Sequence, residues 1–258
     1  MTLDAYIRQR LGGHKILVMS HLIAGCPSLD ANWEMLEEMA RAGVDLVELQ
    51  MPFSEPVADG PTFARANQQA LAQGLCLEQY FALMQRASQS FAFPLLMMGY
   101  YNTVFRLGHQ AFAEALQANG GRGFILPDLP VEEYGDLFTH SQRCALHPVM
   151  LMAPTNPDVR LAQIGRHATG LVYLVARKGV TGSRTDLAGG TYAFVQRCRQ
   201  ATDQPIGMGF GLAKGEDVRR LQGRVDVAIV GSALLEAWEK GGRAEYRRLL
   251  EELVAARN

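Results

Sequence analysis

The stretch 16-ILVMSHLIAGCPSLDANWEMLEEMARAGVDLVELQ-50 contains one complete strand–helix–strand unit. Two short apolar runs, at residues 16–25 and 45–50, flank a segment at 32–43 whose apolar residues recur at helical spacing. The two runs are apolar throughout rather than alternating, which is typical of parallel strands that are covered by helices on both faces. This unit therefore predicts a parallel sheet built from βαβ repeats.

Six further apolar runs of strand length follow along the chain. They lie at residues 95–101, 123–129, 147–154, 170–176, 205–211 and 225–231. Amphipathic segments of helix length lie between and after these runs, at residues 110–121, 131–146, 157–170, 190–201, 214–223 and 243–257. Region 60–91 is long enough for two helices with a break near Gly74.

This alternation predicts an α/β protein with the (β/α)8 TIM-barrel fold, because eight such units in 258 residues match the size of that barrel. We expect a single domain over residues 1–258, with an extra helix before the first strand. A doubly wound open sheet is the alternative. The first βα turn, at residues 24–30, lacks the GxGxxG fingerprint of the dinucleotide-binding form of that fold, which favours the barrel.

Composition and charge exclude several classes of protein. Apolar residues make up 48% of the chain and charged residues 20%, as in ordinary globular domains. A formal net charge of −1 without a basic run argues against a nucleic-acid partner. No apolar segment approaches the length of a membrane span, and the N-terminus lacks the pattern of a signal peptide. Four widely spaced cysteines are typical of free thiols, so we expect a cytoplasmic protein.

Two acidic residues lie where a barrel carries its chemistry, at the carboxyl end of a strand. Glu48 lies inside the apolar run 45–50, and Asp59 follows in a proline-rich loop that is stiffened by its fixed φ angles. A carboxylate in apolar surroundings suits proton transfer near neutral pH. The alternatives are a structural glutamate paired with an arginine, and an aspartate that only forms the ADGP turn.

Two glycine-rich strand ends near the end of the chain indicate a phosphate site. They lie at 207–216 and 229–236. Barrels frequently bind phosphate with the loops after strands seven and eight, where glycine permits close approach and free N–H groups at a helix start attract an anion. We expect Ser232 to be the N-cap of that helix. The alternative is that Gly211 and Gly231 only form tight turns.

The segment 177-RKGVTGSRTDLAGG-190 is long for a βα loop and contains several glycines. A lid over the site is one interpretation, because long loops that carry hinge residues often close on substrate. An ordinary surface loop is the other interpretation.

The positions of the lysines and histidines argue against two kinds of active site, one with a Schiff-base lysine and one with a metal ion. None of the four lysines lies inside a strand candidate, which argues against a Schiff-base mechanism. The six histidines show no close pairing, so we predict no metal site. His21, in the first strand, faces either the barrel interior or the surrounding core, and its position in the sequence does not decide between them. Acid–base chemistry by carboxylates on a phosphorylated substrate fits best.

The stretch 46-LVELQMPFSEPVADGPT-62 resembles the signature of the tryptophan synthase α subunit family, E-x-G-x-P-F-S-D-P-x-A-D-G-P. Further matching segments lie at residues 100–105, 126–133, 173–182, 208–211 and 230–233. The resemblance implies a (β/α)8 barrel that cleaves indole-3-glycerol phosphate to indole and glyceraldehyde 3-phosphate. It also implies no cofactor on this chain, and an α2β2 assembly in which the β subunit carries pyridoxal phosphate.

The resemblance also implies roles for individual residues. Glu48 would transfer protons, and Asp59 would accept a hydrogen bond from the indole N–H. Further contacts with the substrate are implied at Tyr100, Tyr173, Thr181 and Phe210. Backbone contacts with the phosphate are implied at Gly182, Gly211, Gly231 and Ser232. Contacts with the β subunit are implied at Pro52, Glu55, Asn102 and Asp128.

Four positions depart from the family pattern. Gln50 stands in place of glycine and Glu55 in place of the commoner aspartate, while His21 and Ile23 stand where many members carry Phe and Thr. Three other functions remain as alternatives: a regulatory subunit that binds ligand but turns over poorly, a stand-alone lyase that releases free indole, and a phosphate-binding barrel isomerase.

Overall fold

The computed structural model describes residues 1–175, 189–209 and 211–258. Its strands are β1 Leu17–Ile23, β2 Leu46–Gln50, β3 Leu95–Met98, β4 Gly121–Ile125, β5 His147–Pro148, β6 Met150–Met152, β7 Val172–Leu174, β8 Ile206–Met208 and β9 Val227–Val230. They form one sheet in the order β5-β4-β3-β2-β1-β9-β8-β7-β6, and every pair is parallel.

The sheet closes on itself through β5 and β6. Val149 is the single residue between them, and its N–H donates a 2.8 Å hydrogen bond to the carbonyl of Phe124 in β4. Strand β5 pairs with β4, while β6 pairs with β7 on the opposite side. The two short strands therefore occupy one position in the barrel. The predicted TIM barrel is confirmed, with its fifth strand divided in two.

Helices surround the sheet. They are α1 Leu3–Leu11, α2 Leu29–Ala42, α3 Pro61–Ala72, α4 Leu77–Ser90, α5 Tyr101–Leu107, α6 His109–Ala118, α7 Leu137–Arg143, α8 Asp158–His167, α9 Gly189–Ala201, α10 Gly215–Leu221 and α11 Ser232–Ala255. The extra N-terminal helix is confirmed as α1, and the break at Gly74 separates α3 from α4. Across the described ranges, no helix has the length and apolar content needed to cross a membrane.

Three details differ from the prediction. Helix α5 begins at Tyr101, the last residue of the predicted strand run 95–101, because the Asp128 carboxylate accepts the N–H of Tyr101 and starts a helix there. The segment 131–146 divides into a 3-10 turn, Val131–Glu133, and α7. Helix α11 combines the helix predicted to start at Ser232 with the helix predicted at 243–257, and it is kinked between them at Gly241 and Gly242, whose φ and ψ are not helical.

The strands are apolar on both faces because each face packs into a different cluster. Leu17 and Met19 of β1 belong to the cluster inside the barrel, and Val18 and Leu22 belong to the cluster between sheet and helices. This alternation follows from the two-residue period of a strand. It also places His21, two residues after Met19, on the interior side of β1 near its carboxyl end.

The amino end of the barrel is closed around Asp45, which directly precedes β2 and is fully buried. Its carboxylate accepts hydrogen bonds from Arg10 of α1, from Arg257 after α11 and from the N–H of Val18 in β1, at 2.6–3.1 Å. The hydroxyl of Tyr6 donates to the carbonyl of Asp45. One carboxylate thus ties both ends of the chain to the sheet.

Candidate active site

A group of buried polar side chains lies at the carboxyl ends of β1 and β2. It consists of His21, Glu48, Gln50, Asp59 and Asn67, and we call it the rim cluster. Register places His21 directly opposite Glu48 on the neighbouring strand. Buried polar groups of this density are unusual in an apolar core and are typical of a functional site.

Glu48 is 2% exposed, and its side chain contacts the ring of His21 on the neighbouring strand. Its Oε1 lies 3.2 Å from Nδ1 of His21. Among the described residues, no group forms a hydrogen bond with its Oε2. A buried carboxylate oxygen without a partner is costly, so its presence indicates a position that a substrate hydroxyl or proton fills.

Asp59 is held by the loop and by two amide side chains. The loop turns back on itself because the N–H of Asp59 donates to the carbonyl of Pro56. Oδ2 of Asp59 accepts from Nε2 of Gln50 at 2.7 Å and from Nδ2 of Asn67 at 3.1 Å. Burial raises the pKa of Asp59 above its ordinary value, while the Gln50 hydrogen bond and the charge of His21 oppose that rise.

Asn67 is a residue of the site that the sequence reasoning missed. It lies on α3, and its side chain also binds the N–H of Phe53 and the carbonyl of Phe63. It therefore connects the loop on both sides of Asp59 to one helix. The sequence offered one signal for this role: Asn67 follows Asp59 by eight residues, and a helix starts between them.

Two tyrosines border the rim cluster. The hydroxyl of Tyr100, at the end of β3, accepts the N–H of Ala58, and its ring stacks on Phe53 at 5.0 Å. Tyr173 lies on β7, and a Cβ at Gly209 would come within 2.7 Å of its hydroxyl, so glycine is required there. Burial, and then the charges of Glu48 and Asp59, raise the pKa of Tyr173 well above its ordinary value.

The glycine-rich strand ends are arranged for close packing. A Cβ at Gly231 would lie 2.6 Å from the ring of Phe63, so this position requires glycine. Gly211 has a φ of 66°, which glycine adopts without strain. The expectation that Ser232 is the N-cap of its helix is wrong. Gly231 occupies that position and Ser232 is the first residue of α11, because the chain turns at Gly231 with φ −123° and ψ −87°.

Several predicted site residues cannot be placed in this geometry. Thr181, Gly182 and Phe210 lie outside the described residues, as does most of the segment that we interpreted as a lid. For the ranges that the structure covers, no group of three His, Cys, Asp or Glu side chains is arranged to hold a metal ion.

The residues predicted to contact a partner lie near the same end of the barrel. Pro52 is buried, whereas Glu55, Asn102 and Asp128 are exposed. The Asp128 carboxylate also has a structural task, since it accepts the N–H of Tyr101 at the start of α5. Two large apolar side chains are exposed on these same segments, Val57 at 71% and Phe105 at 68%.

A wide crevice lies at the opposite end of the barrel, between α1 and the amino ends of β4 and β5. It is bordered by Leu3, Phe93, Arg122 and His147 among others, and by none of the rim cluster. Since parallel barrels carry their chemistry at the carboxyl ends of the strands, the rim cluster rather than this crevice is the candidate active site.

A parallel barrel with two buried acids, one on a strand and one on the loop that follows it, each in different surroundings, is typical of TIM-barrel enzymes that work by acid–base chemistry. The difference in surroundings is large. Glu48 faces an imidazole and has one oxygen without a hydrogen-bond partner among the described residues, while Asp59 is fixed by two amides.

Comparison with known proteins identifies the family. The family described as "Tryptophan synthase alpha chain" matches residues 10–258. The tryptophan synthase alpha chain of Syntrophotalea carbinolica is 40% identical over 93% of this chain and 95% of its own length. That of Desulfotalea psychrophila is 38% identical over 94% and 95%. A structure of Mycobacterium tuberculosis tryptophan synthase aligns with a TM-score of 0.92 at 32% identity, covering 99% of this chain and 97% of that one. The chain belongs to the tryptophan synthase alpha chain family.

The chain is accordingly a lyase of tryptophan biosynthesis. Members of the family cleave indole-3-glycerol phosphate, need no cofactor of their own, and pair with a β subunit that carries pyridoxal phosphate. The family, the reaction and the partner that the sequence predicts are confirmed.

Proposed function

We propose that Glu48 and Asp59 carry the cleavage of indole-3-glycerol phosphate in this chain. The single observation that supports this most is the open Oε2 of Glu48, a buried carboxylate oxygen without a partner among the described residues. A substrate hydroxyl placed against Oε2 would satisfy this oxygen and present the proton that the reaction must remove.

The reaction moves one proton from oxygen to carbon. Oε2 of Glu48 takes the proton of the side-chain hydroxyl beside the indole ring, and C3 of the ring receives a proton from the same carboxyl group. The bond from C3 to the side chain then breaks as the aldehyde of glyceraldehyde 3-phosphate forms, and its electron pair returns to the ring as indole. One carboxyl group suffices because it gives and takes the same number of protons.

Asp59 has a different task in this scheme. Protonation of C3 leaves a cation whose charge lies near the ring nitrogen, and the Asp59 carboxylate would accept the N–H there. A fixed negative charge in a buried site stabilises such a cation strongly, because it needs no reorganisation at the moment of reaction. The bonds from Gln50 and Asn67 to Oδ2 support this role, since they fix the carboxylate before substrate arrives.

The remaining contacts follow the shape of the site. Tyr100 and Tyr173 would border the indole and the side chain, with Thr181 and Phe210 completing the pocket. We propose that the backbone at Gly182, Gly211, Gly231 and Ser232 binds the phosphate. The start of α11 supports this, because amides at a helix N-terminus attract an anion.

We also propose that Pro52, Glu55, Asn102 and Asp128 contact the β subunit in an α2β2 assembly. The exposed apolar side chains of Val57 and Phe105 beside them support this, since such side chains are frequent in interfaces. A single domain over residues 1–258 and a cytoplasmic location complete the proposal. One sheet that includes strands from both ends of the chain supports the single domain.

Glu48→Gln tests the proposal most directly. We expect indole release from indole-3-glycerol phosphate to fall by about 10³-fold or more, while the substrate still binds, because the amide cannot exchange the proton. Glu78→Gln, an exposed position on α4, is the matched control and should keep full activity. Single-turnover cleavage by Glu48→Gln at a rate near wild type would contradict the assignment.

The same assay separates the alternative functions when it is run with and without a β subunit. High activity of the chain alone would favour a stand-alone lyase. A chain that binds substrate and activates the β subunit but releases almost no indole would favour a regulatory subunit. We expect activity that rises when the β subunit is added.

A further inference from the structure

His21 has a hydrogen-bond acceptor at each of its ring nitrogens. Nδ1 lies 3.2 Å from Oε1 of Glu48, and Nε2 lies 2.7 Å from Oε1 of Gln50. The ring is 8% exposed and packs against Phe63 with a centroid distance of 4.4 Å. It is therefore enclosed between two polar side chains of the same strand, β2.

The orientation of Gln50 is fixed by its other contacts. The amide nitrogen of Gln50 faces Oδ2 of Asp59 at 2.7 Å and Oδ1 of Asn67 at 3.3 Å, and both are acceptors. Exchanging the amide oxygen and nitrogen would place oxygen against the carboxylate of Asp59, which is repulsive. The amide oxygen must therefore face His21, and Nε2 of His21 must carry a hydrogen.

Two protonation states then remain for the contact between His21 and Glu48. In the first, Nδ1 also carries a hydrogen, and an imidazolium donates to the Glu48 carboxylate. In the second, Nδ1 is bare and Glu48 itself holds the proton. A bare Nδ1 facing a bare carboxylate would place two lone pairs together. One proton is thus always present between Nδ1 of His21 and Oε1 of Glu48.

We propose that His21 is a positioning residue for the lyase reaction: supported by Gln50, it shares one proton with Glu48, fixes Oε1 and leaves Oε2 free for the substrate. This inference rests on the proposed role of Glu48. As an imidazolium, His21 stabilises the Glu48 carboxylate that accepts the hydroxyl proton. When Oε2 holds that proton, the nearby positive charge favours its release to C3.

The charges around His21 agree with this arrangement. The ionisable groups that act on it within the described residues are Glu48 on β2 and Asp59 on the following loop, and both are acids. From α3 it faces Phe63, and from the turn after β9 it faces Gly231, neither of which carries a charge. Burial is the largest single effect and opposes the charged ring, but the charge and hydrogen bond of Glu48, the charge of Asp59 and the hydrogen bond of Gln50 together raise the pKa of His21 above its ordinary value.

His21→Phe tests the proposal, because phenylalanine keeps the ring against Phe63 and removes both donors. We expect kcat for indole release to fall by about tenfold or more while KM changes little, and the acid limb of the kcat–pH profile to move up by about one pH unit or more. Gln50→Met, which removes the acceptor of Nε2 and keeps the volume, should give a smaller change of the same kind. An unchanged kcat with an unchanged pH profile would overturn the proposal.

A second measurement does not depend on activity. In a histidine-labelled sample, the NMR titration of the His21 ring, assigned by its absence in His21→Phe, should show a charged ring through neutral pH. In Glu48→Gln, where the charge and hydrogen bond of Glu48 no longer oppose burial, the same ring should be neutral over more of the pH range. A ring that titrates alike in both proteins would contradict the shared proton. If Glu48→Gln were itself fully active, the proposed function would fail, whatever the titration of His21 showed.

Discussion

One buried acid directly precedes strand β2 and another lies within it, and the surroundings of these two acids are opposite in kind. Asp45, at the amino end, accepts hydrogen bonds from two arginines and a backbone N–H. Glu48, near the carboxyl end, has one imidazole at 3.2 Å and one oxygen that is open among the described residues. Asp45, which holds the fold together, therefore has a full set of hydrogen bonds. Glu48, which we propose to react, has an oxygen without a partner among the described residues.

This difference has an energetic meaning. Removing a buried carboxylate with complete pairing is strongly destabilising, because its former partners are left buried and unpaired. A carboxylate with an open oxygen contributes little to stability, but it can bind a substrate group. Asp45 thus serves stability and Glu48 is available for function, although the two residues are only three positions apart in the chain.

The largest effect that we expect from this comparison is a difference in stability between substitutions at Asp45 and at Glu48. Asp45→Asn should lower the free energy of unfolding by about 3–5 kcal/mol, because it leaves the buried Arg257 without its counter-charge. Glu48→Gln should change it by about 1 kcal/mol or less, since its single neighbour, His21, can lose its proton. Urea unfolding of both variants measures this, and similar losses at both positions would remove the distinction.

Much of the fold could be predicted because the strands are apolar on both faces. The runs at residues 16–25 and 45–50 contain β1 and β2 almost unchanged. The start of α5 was missed because it depends on Asp128, 27 residues away, which no local pattern reveals. Ser232 was assigned as N-cap because serine favours that position, but packing of Gly231 against Phe63 decides where the helix begins.

The site was predictable to the extent that it lies in one stretch of sequence. Glu48 and Asp59 share a strand and its loop, so their proximity followed from topology. Asn67 reaches Asp59 from a helix, and the orientation of the His21 ring on β1 depends on its hydrogen bond with Gln50 on β2. Neither contact follows from a local pattern in the sequence. The function of Asp45 was hidden for the same reason, because Arg257 is 212 residues away in the chain.

The next effect concerns Asp59 and separates activity from stability in one variant. Asp59→Asn should lower kcat for indole release by about 10²–10³-fold, because the amide carries no charge to stabilise the cation. The same variant should be more stable than wild type at neutral pH. Its amide oxygen can accept both bonds from Gln50 and Asn67, and no buried charge remains.

The pH dependence of that gain follows from the sign of the shift. Burial raises the pKa of Asp59 in the folded state, so its contribution to stability is present at low pH and is lost as pH rises through the folded pKa. Asparagine does not titrate. The stability advantage of Asp59→Asn should therefore disappear as pH falls, and thermal unfolding between neutral and acid pH measures it. An advantage that grows towards acid pH would show that the sign is wrong.

A smaller effect on stability is expected in the helical layer around the sheet. There the carboxylate of Glu38 in α2 is bound by several arginines, as that of Asp45 is. Arg247, Arg243 and Arg41 donate to it, and the Arg247 hydrogen bond contributes most to lowering its pKa to about 2. Glu38→Gln should cost about 1–2 kcal/mol at neutral pH, because solvent screens its partly exposed arginine partners. A lowered pKa stabilises above the unfolded value, so the difference from wild type should vanish between pH 4.5 and about 2. Indole release should not change.

The last comparison concerns the two arginines that share Asp45, and the smallest effect is expected at Arg10. The side chain of Arg10 is 39% exposed and that of Arg257 is 11% exposed. Water and salt screen the exposed pair, so Arg10→Ala should cost about 1 kcal/mol or less, and less still in high salt. Arg257→Ala should cost about 3 kcal/mol and respond little to salt, because it removes a buried partner.

Both arginine variants should keep the indole-release rate of wild type, since neither side chain contacts the rim cluster. Equal losses of stability from the two would mean that exposure does not set the strength of these contacts. A loss of activity in either would mean that the amino end of β2 controls the geometry of Glu48. In that case the strand would couple its two ends rather than separate them.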